Sequence, residues 1–161
     1  MKIKLKLNGK DVEFDSPSET RLVDLLKTSG KIQSLRASCY KGICRGCSIF
    51  LNGDLVSSCL IPAFQARGTE IVSFEGLSKS DEINDVITGF EDAGFFPCDF
   101  CRPGKIMTVH SILENYSDPD DYQIMEAFDG INCSCTDKST LIKAVKAGAF
   151  YRRRRRRARN I

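Results

Sequence analysis

The chain has 161 residues, 42% of them hydrophobic and 28% charged, with eight cysteines and a single histidine. That length suits one ordinary domain or two small ones, the composition is globular, and cysteine at about 5% falls below the roughly 8–10% of a disulfide scaffold. The formal charge of +3 hides an asymmetry: seven arginines stand at 152–157 and 159, and without them 17 cations face 21 acids.

The first residues, MKIKLKLNGKDVEF, alternate lysine with Ile3, Leu5 and Leu7. This is strand periodicity, without the continuous apolar run of a signal peptide. No apolar stretch reaches the length of a membrane span, so a cytoplasmic location is expected. Strands over 2–7 and 11–15 flank Asn8-Gly9, the favoured two-residue hairpin turn. Ser18-Glu19-Thr20 then leads into Leu22, Leu25 and Leu26, a short amphipathic helix expected to end near Gly30. A second hairpin, 48–51 and 55–57, surrounds Asn52-Gly53, and Glu70-Ile71-Val72-Ser73 offers a closing strand. Two hairpins, one helix and a late strand predict a β-grasp arrangement over residues 1–77.

From about Ser78 the pattern turns helical. Ile83, Val86, Ile87 and Phe90 share one face by their i, i+3, i+4, i+7 spacing. Pro103 suits a first helical position before Met107, Ile112 and Leu113. Asp120 or Asp121 can cap a helix carrying Ile124, Met125 and Phe128. Ser139 can cap another that runs through Leu141, Ile142 and Val145 to Gly148. These four helices predict a small bundle over 78–151, with a boundary near Leu77–Asp81 and an arginine-rich tail at 152–161. The fold class expected is α+β.

The cysteines form two sets of four. Cys39, Cys44, Cys47 and Cys59 follow C-x4-C-x2-C…C, the plant-type ligand spacing of a 2Fe–2S cluster. Thiolates and bridging sulfides leave a net anion, so backbone N–H groups must approach sulfur, and Gly42 and Gly46 permit that approach. Lys41 and Arg45 add positive charge that favours the reduced form. Structural zinc sites show paired knuckles instead. The second set is Cys98-x2-Cys101 and Cys133-x-Cys135, whose spacing alone fits either tetrahedral zinc or a second cluster. Its context favours the cluster: Cys101 lies just before Pro103-Gly104 at a helix start, and Cys135 precedes the Ser139-capped helix. Two helix amino ends can therefore converge on one anionic site. Two centres in one small chain point to an electron relay.

These spacings, in this order, resemble the small iron–sulfur subunit of the xanthine dehydrogenase/aldehyde oxidase family of molybdenum hydroxylases. The resemblance extends to Ser58-Cys59-Leu60-Ile61-Pro62-Ala63, Phe74-Glu75-Gly76-Leu77, Cys98-Asp99-Phe100-Cys101-Arg102-Pro103-Gly104, and Gly130 before the last cysteine pair. It implies a ferredoxin-like β-grasp domain followed by a four-helix domain. It implies that Cys98, Cys101, Cys133 and Cys135 bind the cluster nearer the molybdenum cofactor, and that Cys39, Cys44, Cys47 and Cys59 bind the one nearer a flavin. The expected function is electron transfer from a molybdenum-pterin subunit through two 2Fe–2S clusters to an FAD subunit, within a hetero-oligomer and with no catalytic residue in this chain. Neither a Gly-rich dinucleotide turn nor a candidate base is present, so molybdopterin and FAD are expected in the partners only. Pro97, Asp99, Arg45 and the Ser134 to Lys138 stretch depart from the family's usual residues.

Three features stand apart. His110 reads as a packed or surface histidine, since eight cysteines already fill eight ligand positions. Phe95-Phe96-Pro97 reads as a hydrophobic shield or as packing. The tail reads as a solvated end or a docking element for an acidic partner, with nucleic acid disfavoured because no base-reading module accompanies it. The rival functions are a free-standing two-cluster electron carrier and a zinc-stabilised nucleic-acid-binding adaptor.

Overall fold

Two tight hairpins frame the first half of the chain. The structure, a computed structural model, describes residues 1–29, 32–131 and 133–160. Strands β1 (Lys2–Leu7) and β2 (Lys10–Asp15) pair antiparallel about Asn8 and Gly9, whose φ values of 51° and 79° are those the turn demands. Strands β3 (Ser48–Leu51) and β4 (Asp54–Ser57) repeat the device about Asn52 and Gly53. Strand β5 (Glu70–Val72) enters between the hairpins, parallel to β1 and antiparallel to β3, giving the order β2-β1-β5-β3-β4.

Ile3, Leu5 and Leu7 face the core as their alternation predicts, and pack in one cluster with Leu22, Val23, Leu25 and Leu26 of helix α1 (Leu22–Thr28). Arg21, directly after Ser18-Glu19-Thr20, occupies the N-cap of α1 without a side-chain cap. Gly30, expected to end this helix, lies outside the described residues. A one-turn helix, α2 (Phe74–Leu77), follows β5.

The described residues divide into two compact units, Met1–Ser78 and Lys79–Ile161. The second is helical: α3 (Glu82–Asp92), α4 (Arg102–Asn115), α5 (Asp121–Ala127) and α6 (Lys138–Arg159). Helix α3 buries Ile83, Val86 and Phe90. Helix α4 is buried all round from Gly104 to Val109, the pattern of a bundle's central element. Asp120 caps α5 in a reciprocal capping box with Gln123.

Helix α6 departs from expectation at both ends. Its N-cap is Asp137, which accepts the Thr140 N–H at 2.8 Å, while Ser139 only donates its hydroxyl to the same carboxylate. Gly148 does not end it. A Cβ at Gly89 of α3 would lie 2.7 Å from the Gly148 nitrogen, so this glycine pair serves close helix packing rather than termination. The helix continues to Arg159 because its arginines find carboxylates on α3 and α4. Arg152, 2% exposed, pairs with Asp85 at 3.1 Å and Glu114 at 2.5 Å. Arg155 reaches Asp85 at 2.6 Å, Arg156 reaches Glu114 at 3.0 Å, and Arg159 reaches Asp81 at 2.8 Å. The expected solvated tail is thus helical and charge-paired through Arg159. His110 shares this network: its Nδ1 lies 3.1 Å from Arg152 Nη2, and burial lowers its pKa to about 4.

Candidate metal centres

In the second unit, Cys98 sits at the end of the stretch after α3, and Cys101 is the N-cap of α4. Cys133 and Cys135 occupy the segment between α5 and α6. Backbone N–H groups of the turn hold this geometry: those of Cys101 and Arg102 both donate to the Cys98 carbonyl, at 3.1 and 2.9 Å. The four sulfurs lie within 4.8 Å of one another, and among the described residues no other group of three or more candidate ligands is drawn together so closely. Cys98 Sγ is 3.2 Å from Cys101 Sγ and 3.9 Å from Cys133 Sγ, and Cys101 Sγ is 3.2 Å from Cys135 Sγ.

The electrostatics of this set are divided. A backbone N–H bond from Cys101 lowers the pKa of Cys98. Burial pushes against ionisation of Cys135, but hydrogen bonds from the Cys98 backbone and the Thr136 hydroxyl outweigh it and bring its pKa to about 5. Cys101 goes the other way, held well above the ordinary thiol range by burial and then by its neighbouring sulfurs. Four thiols at this distance cannot all ionise unaided; a cation among them reverses the balance. A purely sulfur donor set fits zinc or an iron–sulfur centre.

The Cys39–Cys47 loop carries the other set, on two different supports. Cys47 and Cys59 are almost fully buried against the sheet, Cys47 leading into β3 and Cys59 in a single 3-10 turn after β4, the edge strand. Ser58 fastens the two together, its N–H and hydroxyl both donating to the Cys47 carbonyl. Cys39 and Cys44 lie on the loop itself. Cys39 Sγ accepts the N–H of Lys41 and of Cys44, each at 3.4 Å, and these bonds lower its pKa to about 6. Burial raises Cys47 to about 11. The four sulfurs are not gathered as the second set is; they stand as a loop pair and a sheet pair.

The N–H groups drawn to Cys39 Sγ are those of Lys41 and Cys44, and the glycines of this loop act on its backbone path instead. Gly42 has φ 73°, and a Cβ on Gly46 would sit 2.9 Å from the Arg36 carbonyl. Arg45, a departure from the family pattern, also takes a left-handed φ of 53°, which accounts for glycine being common there.

Three supporting residues are not assigned a role from the sequence. Arg21 donates to the carbonyls of both Tyr40 and Cys59, each at 3.3 Å, and so ties the loop to the sheet. Glu75, within the Phe74-Glu75-Gly76-Leu77 match, accepts from the N–H groups of Gln33 and Ser34 at 2.8 and 2.7 Å, anchoring the chain that enters the loop. Lys105 places its ammonium 3.2 Å from Cys135 Sγ. The first two act through partners distant in sequence; the third had a signal, a lysine within an otherwise apolar helical stretch. Of the remaining features, Phe96 is partly exposed and tilts against Phe90 with Arg102 over its ring. The Pro97 carbonyl accepts from Arg102 Nε at 3.2 Å.

Comparison with known proteins places these observations. A [2Fe-2S] binding domain matches residues 73–146. The chain is 33% identical over 144 residues to the nicotinate dehydrogenase small FeS subunit of Eubacterium barkeri, covering 89% of this chain and 92% of that one. It is 32% identical over 141 residues to one of the probable xanthine dehydrogenase subunits of Bacillus subtilis, covering 88% of this chain and 81% of that one. The solved structure of quinoline 2-oxidoreductase from Pseudomonas putida 86 contains a chain with the same fold at a TM-score of 0.84, 32% identity and 96% coverage of each.

Proposed function

This chain belongs to the small iron–sulfur subunits of the xanthine dehydrogenase/aldehyde oxidase family of molybdenum hydroxylases, a non-catalytic part of an oxidoreductase, and from that premise we propose that it is the electron conduit of such a complex. In this reading Cys98, Cys101, Cys133 and Cys135 hold one 2Fe–2S cluster, and Cys39, Cys44, Cys47 and Cys59 hold a second, of plant type. Bound clusters supply one-electron carriers between a molybdenum-pterin subunit and an FAD subunit. Residues 1–77 form a β-grasp ferredoxin-like domain and 78–151 a helical cluster-binding domain.

The observation that carries the proposal is the gathering of the Cys98 quartet within 4.8 Å, inside the segment that matches a [2Fe-2S] binding domain. The loop pair and sheet pair of the other set support a two-iron centre, which takes two thiolates on each iron. The chain's own residues present N–H groups to Cys39 and Cys98 and bury Cys47, Cys59 and Cys101 away from water. Relatives named for nicotinate and xanthine dehydrogenation point to an N-heterocyclic substrate, chosen by the molybdenum subunit.

Anaerobically purified protein should be red-brown, with about four irons and four acid-labile sulfides per chain. Cys44→Ser and Cys135→Ser should each abolish a different one of two EPR signals. A colourless, zinc-containing preparation, or equal loss of both signals in either variant, overturns the assignment. Affinity purification from the native cell should recover molybdenum and flavin with the chain; an 18 kDa monomer that recovers neither overturns the place in the complex.

A further inference from the structure

Lys105 is the only buried lysine among the described residues, 3% exposed on the central helix of the bundle. It stands four residues after Cys101, so both side chains lie along one face of α4. Its ammonium donates to Cys135 Sγ at 3.2 Å and to Thr136 Oγ1 at 3.0 Å, and no carboxylate among the described residues pairs with it. A lysine ammonium taken out of water is costly unless a compensating anion receives it. Here the receiving group is the sulfur of Cys135, one of the four gathered side by side as a donor set. An apolar side chain would fill the same space without that cost, so packing does not explain the charge.

We propose that Lys105 is a positioning residue that sets the reduction potential of the cluster held by Cys98, Cys101, Cys133 and Cys135, raising it through a charge-assisted hydrogen bond to the Cys135 sulfur. The inference rests on the two-cluster reading above. A cluster bound by four thiolates is a net anion and becomes more negative by one charge on reduction. A fixed cation therefore stabilises the reduced form more than the oxidised one, and does so strongly where water cannot screen it. The cations near the other set differ in kind: Lys41 is exposed and Arg45 only partly buried, so solvent weakens their effect. No bond to Lys105 forms or breaks, and its proton stays on Nζ; the cluster alone gains the electron.

The test is a potentiometric titration of the full chain, loaded with both clusters and reduced by dithionite through mediators, with each cluster followed by its own EPR signal. Lys105→Met should lower the reduced-to-oxidised ratio of the helical unit's cluster at least tenfold at a fixed applied potential, which for a one-electron couple is about 59 mV. The other cluster should titrate as before. Lys105→Gln, which keeps a donor but not the charge, should move in the same direction, and Lys105→Arg should stay within about threefold of the unaltered protein. Unshifted titration in the Met and Gln variants with full iron content overturns the inference, as does an equal shift of both clusters. If the Met and Gln variants lose that cluster's iron and the Arg variant keeps it, the charge serves to hold the cluster, and the inference about its potential is overturned. Loss in all three makes the role structural and overturns it. An unaltered protein with only one cluster signal refutes the two-cluster reading, and this inference with it.

Discussion

Replacing Arg152 by alanine distinguishes a structural α6 from a solvated arginine tail. Its guanidinium donates to Asp85 at 3.1 Å, to Glu114 at 2.5 Å and to the Glu82 carbonyl at 2.8 Å, and lies 3.1 Å from His110 Nδ1. Removing one partner of a buried ion pair costs about 3–5 kcal/mol, mostly because the other charge is left unpaired. Asp85 is not abandoned, since Arg155 still donates to it at 2.6 Å, so the lower end applies, about 3 kcal/mol. For a chain of this size each kcal/mol moves the melting temperature by about 2–4 °C, giving an expected fall of about 6–12 °C. Arg154, exposed on the same helix, is the control, and its alanine variant should change stability by less than about 0.5 kcal/mol. The assay is thermal unfolding followed by circular dichroism, on cluster-loaded protein with iron content verified for each variant. An Arg152→Ala protein that melts within about 2 °C of the Arg154→Ala protein refutes the network.

Other perturbations probe separate features. Burial, reinforced by Arg152, holds the folded pKa of His110 at about 4 against an ordinary 6.5. The unfolded chain therefore takes up this proton first: stability is full above about pH 6.5 and is lost as pH falls to about 4, by about 3 kcal/mol in all. His110→Gln should remove that part of the acid sensitivity in denaturant titrations at pH 7, 6, 5 and 4; unchanged pH dependence counts against the depressed histidine pKa. Arg45→Gly relieves a left-handed residue and should raise stability by about 1 kcal/mol, less the extra chain entropy of glycine, as read from urea midpoints. A fall in stability would contradict the loop geometry. Gly89→Ala puts a methyl 2.7 Å from the Gly148 nitrogen and should cost about 2–3 kcal/mol in the same assay. A neutral outcome there would mean that α3 and α6 do not approach so closely.

Local pattern carried most of the framework. Asn8-Gly9 and Asn52-Gly53 determine both hairpins because few residues tolerate two successive positive φ values, and the alternation of Ile3, Leu5 and Leu7 decides which face is buried. The Ile83, Val86, Phe90 spacing determines α3 in the same way. The eight cysteines and their intervals named the class of chemistry, since clustered thiolates in such a chain serve a soft metal centre.

Where a residue's role is set by something distant in sequence, only the folded chain decided it. Gly148 looks like a helix terminator until Gly89 is seen against it, and the arginines after it look solvated until Asp81, Asp85 and Glu114 are brought to them. Arg21 and Glu75 hold the cysteine loop through partners 19 to 42 residues away. Lys105 acquires its meaning from Cys135, 30 residues on. Periodicity and spacing report what a short segment prefers. Pairing of charges and close approach of backbones depend on which segments tertiary packing makes neighbours, and no local preference encodes that.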